Sequence, residues 1–263
     1  MITRDMAEAV RIQGRVLLAL MLREARTRYG RTKAGYLWAL LEPMIHISLL
    51  YFLFKYRLRM VAIGDNIPIF LATGFLTYIG FRNVMNRTGG GYGSNEALLS
   101  FPIVKVMDVF VGRALLELGT WIAVTFILLG GLIALGYGPL PRDVITMLIA
   151  VLALFLIGFG VGTFIGIASE FVPAIGSFMR VPQRLLYFTS GLFFLPEALP
   201  PAARDILAWN PILHGITLFR EGYFPSYDSY VLDVQYLFGW AVGSVLLALV
   251  TERVARKPMR NLA

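Results

Sequence analysis

The chain has 263 residues, 57% of them hydrophobic and only 15% charged, with no cysteine and a formal charge of +8. A soluble globular chain carries roughly 25% charged residues, so this much apolar surface cannot be hidden in a core of this size, and part of its solvent must be lipid. The absence of cysteine excludes disulfides, thiolate metal sites and a cysteine nucleophile, and His46 and His214 alone are too few and too far apart for a metal cluster. The cations sit mainly in the flanks of apolar runs, so membrane topology explains them before nucleic acid does.

In chain order, residues 5–28 read as an amphipathic helix lying on a membrane surface. Val10, Leu17, Leu18, Leu20 and Met21 form its apolar side, and arginines ring the rest. No cleavable leader is expected. The only compact apolar run there, Val16 to Leu22, is short for one, and no small-residue cleavage site follows.

A bilayer core about 30 Å thick needs roughly 20 apolar residues as helix. Six spans are predicted, at about 34–56, 66–85, 108–136, 143–167, 174–195 and 231–251. Between the fifth and sixth, Ile206 to Phe219 is apolar but interrupted by Pro211 and Gly215. It suits a re-entrant or interfacial segment better than a crossing. Six spans return both termini to one face. That face would carry seventeen of the 24 Lys and Arg residues and is therefore expected to be cytoplasmic. The fold class expected is an all-α integral membrane protein. Its divisions are a cytosolic interfacial helix at 1–33, a six-helix domain at 34–251 and a cytosolic tail at 252–263.

Three segments carry a resemblance. The first runs from Arg26 to Pro43 and contains a basic stretch with Arg31 and Lys33, then Gly35-Tyr-Leu-Trp38 and Pro43. The second is Asn95-Glu-Ala-Leu-Leu-Ser-Phe-Pro-Ile-Val-Lys-Val-Met-Asp-Val-Phe110, between the second and third spans. The third runs from Leu199 to Phe224 and holds Trp209-Asn-Pro211 and Phe219-Arg-Glu221. In this order they resemble the ABC-2 type transport permeases. The Phe-Pro-x-Val…Asp form of the second is most similar to the capsular-polysaccharide export branch.

The resemblance implies a homodimer of six-helix subunits in the bacterial inner membrane, with two ABC ATPase subunits on the cytosolic side. It also implies a periplasmic adaptor of the polysaccharide co-polymerase type, an outer-membrane exporter and a lipid-linked acidic glycan as cargo. The second segment, within residues 89–107, would be the coupling segment that docks on the ATPase through Asn95, Glu96, Leu98, Leu99, Phe101 and Pro102. The third, at 197–224, would be an extracytoplasmic helical hairpin, with Trp209, Asn210, Pro211 and Arg220 as gate candidates.

The chain holds no Gly-x-x-x-x-Gly-Lys-Ser/Thr loop. Gly89-Gly-Gly-Tyr-Gly93 is glycine-rich but is followed by no Lys-Ser/Thr, so it reads as a flexible lead into the coupling segment. No cofactor is expected on this chain, ATP and magnesium belonging to the partner. No catalytic or metal motif appears, so the chain is expected to be a transport subunit and not an enzyme.

An acidic glycan needs cations for its carboxylates and aromatic faces for its rings. Arg180, Arg184 and Tyr187 share one face of the fifth span and are the first channel candidates, although Arg180 and Arg184 also suit interfacial snorkelling at a helix start. Arg31, Lys33 and Trp38 at the inner edge are further candidates. So are Lys55, Arg57 and Arg59, either as a cationic outer mouth or as snorkelling residues. Arg113 and Glu117, four apart, read as an ion pair within the third span, and Glu42 and His46 as a polar contact within the bundle or across a dimer. Other cargoes (O-antigen, teichoic acid, a drug), a membrane-bound lipid or sugar transferase and a passive channel are the competing readings. Replacing Leu98, Leu99 and Phe101 together with Asp is expected to dissociate or uncouple the ATPase, and co-purification with export assays checks this. Unimpaired assembly and export would count against the docking role.

Overall fold

A computed structural model describes residues 2–29, 34–57, 63, 66–91 and 104–260, with side chains at all of these except 2–7, 9, 29, 34–36, 57, 180 and 257–260. Among them all regular structure is helical. The helices are α1 (Ile2–Tyr29), α2 (Ala34–Arg57), α3 (Ile67–Gly89), α4 (Val106–Ala134), α5 (Val144–Phe171), α6 (Ala174–Phe178), α7 (Arg180–Thr189), α8 (Pro201–Leu207), α9 (Pro211–Tyr223) and α10 (Val234–Arg260), with a 3₁₀ turn at Pro196–Ala198. Five of them, α2, α3, α4, α5 and α10, are long and apolar enough to cross a membrane, and they coincide with five of the six predicted spans.

The predicted span at 174–195 is not one helix. It consists of α6, α7 and then the irregular stretch 190–195. Pro182 has no N–H to give the carbonyl of Phe178, four residues earlier, so the helical ladder is interrupted where α6 meets α7. The path stays helical, since Met179 N–H donates to Ile175 O at 3.1 Å and Gln183 N–H to Met179 O at 3.3 Å. At 1.5 Å per residue, 174–189 reaches only about 24 Å, short of a bilayer core. The six residues that follow, 190–195, are non-helical.

Helix α5 is the hub. It is buried along most of its length and packs against α3, α9 and α10. Its sequence allows this because Gly158, Gly162 and Gly166 recur every fourth residue and form a smooth strip against α3. A Cβ at Gly162 would lie 2.4 Å from Met85 O, and one at Gly166 would lie 3.0 Å from Gly89 O. Close backbone approach through small residues replaces the hydrophobic drive that lipid cannot provide. Gly160 does the same toward α10, where a Cβ would sit 2.3 Å from the Ser244 carbonyl carbon. Asp143 starts the helix by accepting from Ile145 N–H at 2.9 Å.

Helix α1 packs along the first turns of α4. Gln13 hydrogen-bonds Asp108, Arg113 meets Glu24 at 3.1 Å, Arg28 pairs with Glu117, and Leu17, Leu20 and Met21 close over Gly112. The side of α1 expected to face lipid is therefore partly spent on protein, while Val10 and Leu18 stay exposed. The expected pair within the third span is also corrected. Arg113 and Glu117 do not join each other; the Glu24 and Arg28 spacing on α1 offers each an opposite charge. Arg113 additionally donates to the carbonyls of Arg87 at 3.1 Å and Gly90 at 2.6 Å, holding the last turn of α3.

Replacing Gly160 with Val is expected to force α5 and α10 apart and to cost about 1–3 kcal/mol. Thermal unfolding of the detergent-solubilised protein should show a lower midpoint, while a Gly239→Val control, at an open position, should not.

Candidate functional site

Three helices meet around a groove of about 360 Å³ lined by His46, Tyr78, Arg82, Gln183, Arg184, Tyr187 and Phe188. Helix α3 supplies Tyr78 and Arg82, which with Phe75 and Asn86 form one stripe at three- and four-residue spacing. Helix α7 supplies Gln183, Arg184, Tyr187 and Phe188, and α2 supplies His46.

The groove has a defined polar frame. His46 Nε2 lies 2.7 Å from Tyr187 Oη, and Tyr78 Oη donates to Gln183 O at 2.7 Å. Gln183 Nε2 donates to Asn86 Oδ1, also at 2.7 Å. Arg82 is 3.9 Å from Glu42, too long to neutralise it fully, and its side chain is about one-third exposed. Arg184 is exposed. Two guanidinium groups thus face the same open space, and both are accessible to an anion.

Aromatic rings continue from this frame. His46 stacks on Phe75 with centroids 4.3 Å apart, Tyr187 meets Tyr78 at 5.4 Å and Phe193 at 5.2 Å, and Phe193 meets Phe54 at 6.1 Å. Phe188 is exposed beside them. The column runs from α3 to α2 and presents both ring faces and edges.

A second polar centre lies where the irregular stretch 190–195 passes α3 and α9. Here Arg220 of α9 is fully buried, with 0% exposure. Its Nη1 donates to Gly191 O at 2.6 Å and Phe194 O at 3.3 Å; its Nη2 donates to Leu192 O at 3.0 Å and Phe70 O at 3.3 Å. The guanidinium lies 4.0 Å from the centroid of Phe70. Gly74 leaves room for it, since a Cβ there would come within 2.6 Å of Nη2, and Gly191 turns the chain at φ +77°. Arg220, a gate candidate from the sequence, here gives its Nη groups to three carbonyls that the non-helical backbone would otherwise bury unpaired and to one of α3, while its Nε–H has no partner among the described residues.

The rest of the hairpin is ordered around α9. Asn210 caps α9, accepting from Ile212 N–H at 3.0 Å, and its amide donates to Ser190 Oγ at 2.9 Å. Pro211 is the first residue of α9, where its missing N–H costs nothing. His214 accepts from Asp233 N–H at Nδ1, 3.0 Å away, so its Nε2 carries the proton given to Ala208 O at 2.7 Å. Tyr236 Oη donates to Trp209 O, while the Trp209 ring is 78% exposed. The C-terminal end of α9 is bonded to the start of α5 through Gly222 O and Asp143 N–H at 2.7 Å. Gly215, one turn into α9, packs on Leu154, ten residues into α5. Helix α9 thus descends along α5 by about 15 Å. In the loop after α9, burial pushes the Tyr227 phenol above its usual range, and it donates to Glu197 Oε2 at 3.1 Å.

Of the sequence candidates, the structure brings Arg184 and Tyr187 together. Arg180 opens α7, but its side chain lies outside the described residues, as does that of Arg57. Arg31, Lys33, Arg59 and the coupling residues Asn95, Glu96, Leu98, Leu99, Phe101 and Pro102 also lie outside them. Trp38 is exposed near the start of α2. Lys55 sits near the end of α2, 5.5 Å from the Tyr51 ring centroid, and does not line the groove. Sequence reasoning missed Tyr78 and Gln183 as groove residues and took Arg82 only as a topological charge. The Phe75, Tyr78, Arg82, Asn86 spacing was the available signal.

The comparisons with known proteins follow this geometry. The family model described as ABC-2 type transporter matches residues 15–224. The chain belongs to the ABC-2 type transporter family. It is 29% identical to the polysialic acid transport protein KpsM of Escherichia coli over 92% of this chain and 93% of that protein. It is 32% identical to the capsule polysaccharide export inner-membrane protein BexB of Haemophilus influenzae over 92% of both. It is 33% identical to the capsule polysaccharide export inner-membrane protein CtrC of Neisseria meningitidis serogroup B over 83% of both. As an ABC-2 family member, the chain has its Arg220 network within the matched region.

Replacing Arg220 with Met is expected to leave the carbonyls of Gly191, Leu192 and Phe194 unpaired and to cost roughly 2–5 kcal/mol. Detergent-denaturation curves and the yield of folded protein check this. Arg220→Lys should recover only part of the loss, because one ammonium cannot reach carbonyls on both sides.

Proposed function

We propose that this chain is the membrane-spanning permease subunit of an ABC exporter that carries an acidic capsular polysaccharide, attached to a lipid, across the bacterial inner membrane. The observation that carries this reading is the match of nearly the whole chain to capsule-export inner-membrane proteins at about 30% identity, covering equal shares of both partners. The groove agrees with it chemically. Arg82 and Arg184 can pair with glycan carboxylates or a phosphate, and Tyr187, Phe188 and Tyr78 offer ring faces on which sugar C–H faces stack.

Membership of the family supports the rest of the proposed arrangement. Two copies would assemble with their grooves toward a shared path, and two ATPase subunits would bind the cytosolic side through the coupling segment at 89–107. ATP and magnesium would be held there and not by this chain. A periplasmic adaptor of the polysaccharide co-polymerase type and an outer-membrane exporter would receive the polymer. In this topology α6, α7 and the stretch 190–195 together make the fifth of six crossings, with α10 the sixth. Helices α8 and α9 form a re-entrant hairpin on the outer side, and both termini are cytoplasmic.

Two guanidinium groups in an open groove favour an anionic cargo over a neutral drug. Deleting the protein is expected to leave capsule polymer inside the cell with none on the surface. Loss of the polymer altogether would assign a synthetic role and overturn the proposal. Arg184→Gln is expected to lower export about tenfold, the loss of one charge-assisted contact of about 1.4 kcal/mol, without loss of ATPase co-purification. Surface and intracellular polymer, quantified separately, check this.

A further inference from the structure

Asp108 and Arg113 of α4 stand beside the points where the chain enters α4 and leaves α3, and each divides its polar atoms between two tasks. Buried Asp108 accepts from Lys105 N–H at 3.0 Å through Oδ2, at the entry to α4, and from Gln13 Nε2 of α1 through Oδ1. Arg113 donates through Nη1 to the carbonyls of Arg87 at 3.1 Å and Gly90 at 2.6 Å, at the exit from α3. Its Nη2 pairs with Glu24 Oε1 of α1 at 3.1 Å. The two ends also meet directly: Gly91 lies against the ring of buried Phe110, where a Cβ would come within 2.6 Å of Cε1.

Attaching α1 to the bundle does not require this pattern. Leu17, Leu20 and Met21 over Gly112 already give α1 an apolar seat, and the Arg28 pair with Glu117 fastens its far end. The ties at Gln13 and Glu24 fall instead on the two side chains that already bond the exit from α3 and the entry to α4. A long side chain bonded at one end keeps much of its rotamer freedom; a second partner removes it. Charge-assisted hydrogen bonds are short and directional, so partners on α1 fix where Asp108 and Arg113 point, and with them both backbone ends.

We infer that Gln13 and Glu24 of α1 are positioning residues for ATPase docking, acting through Asp108 and Arg113 to hold the exit from α3 and the entry to α4 in one fixed relation, a role that rests on the reading of 89–107 as the docking segment. A segment whose ends are already held loses less freedom when it docks. The apparent affinity for the ATPase subunit then follows the fraction of molecules in which both ends are held. Helix α1 thereby serves the partner without itself having to touch it.

The measurement is the Kd of the purified ABC ATPase subunit of the same export system for the full chain in nanodiscs. Gln13→Ala with Glu24→Ala is expected to raise Kd about tenfold. Gln13→Lys with Glu24→Asp, which keeps a donor for Asp108 and a carboxylate for Arg113, should stay near the native value. In an Asp108→Ala background Gln13→Ala should add nothing further, because the two act as one unit. A staple separates positioning from mere attachment. The chain has no cysteine, and a Cβ at Gly112 would lie 3.3 Å from Leu20 Cβ, close to the roughly 3.5–4.5 Å of a disulfide, so Leu20→Cys with Gly112→Cys can bind α1 to α4 covalently. With that staple oxidised, losing Gln13 and Glu24 should still raise Kd about tenfold. If the stapled quadruple variant does not fold, Gln13→Ala alone should raise Kd about threefold, with an unchanged thermal midpoint. A native Kd in the Gln13→Ala, Glu24→Ala variant would overturn the inference, and so would a native Kd recovered by the oxidised staple, which would reduce the ties to attachment. Replacing Leu98, Leu99 and Phe101 with Asp in the same assay tests the docking reading by itself. A native Kd there removes that reading and the inference with it, whereas a large loss there beside an unchanged Kd without Gln13 and Glu24 removes the inference alone.

Discussion

A buried guanidinium decides how this fold can place non-helical backbone beside membrane-crossing helices. In hydrocarbon an unpaired carbonyl costs several kcal/mol, and only helices and closed barrels avoid that cost by themselves. Residues 190–195 do neither. Three of their carbonyls, those of Gly191, Leu192 and Phe194, are met by Arg220, which also reaches Phe70 O and lies against the Phe70 ring. One side chain therefore joins α3, α9 and the end of α7, and the positive charge is stabilised by four carbonyl dipoles and an aromatic face instead of a carboxylate. With the charge so enclosed, α9 can lie deep along α5 and α7 can end early.

The second constraint is distance. Glycines at every fourth position of α5 bring it into backbone contact with α3, and Gly160 does so with α10. These contacts fix α3, which lines one side of the groove, and α10 to the hub. The groove wall is held differently. On α7, Gln183 and Tyr187 make polar contacts to α3 and α2, while Val181, Leu185 and Phe188 are exposed. A rigid hub and a lightly fastened wall are thus encoded by different residue types: glycine and alanine in the one, glutamine, tyrosine and arginine in the other.

The five long helices were legible because uninterrupted apolar length is a local property that composition reports directly. The break within the predicted span at 174–195 was half legible. Prolines stand in this stretch of the sequence, but the early end of α7 depends on a partner for the carbonyls that follow, and that partner lies 26 to 29 residues away. The burial of Arg220 was not legible for the same reason. In a linear count it is an outer-face cation, and only a three-dimensional neighbourhood of carbonyls makes its burial favourable. Arg184 and Tyr187 were readable from helical spacing. For His46 a polar contact within the bundle was readable, but its partner Tyr187 was not, because that bond spans 141 residues. The Arg113 and Glu117 pair failed likewise: the i,i+4 rule describes an isolated helix, and α1 supplied competing charges at the same spacing.

The junction at Met179 has a mechanical consequence. A continuous rod transmits rotation from one end to the other without loss, but the missing bond to the Phe178 carbonyl lets the two halves of 174–189 turn separately. The lower half is attached to α5 through the short link at Val172 and Pro173, and the upper half carries Arg184 and Tyr187. Small tilts of the upper half change the width of the groove while α5 and its glycine contacts stay still. The hydroxyl of Tyr78 on the Gln183 carbonyl is the pivot nearest that break, so the residue that frames the groove also limits how far it can widen.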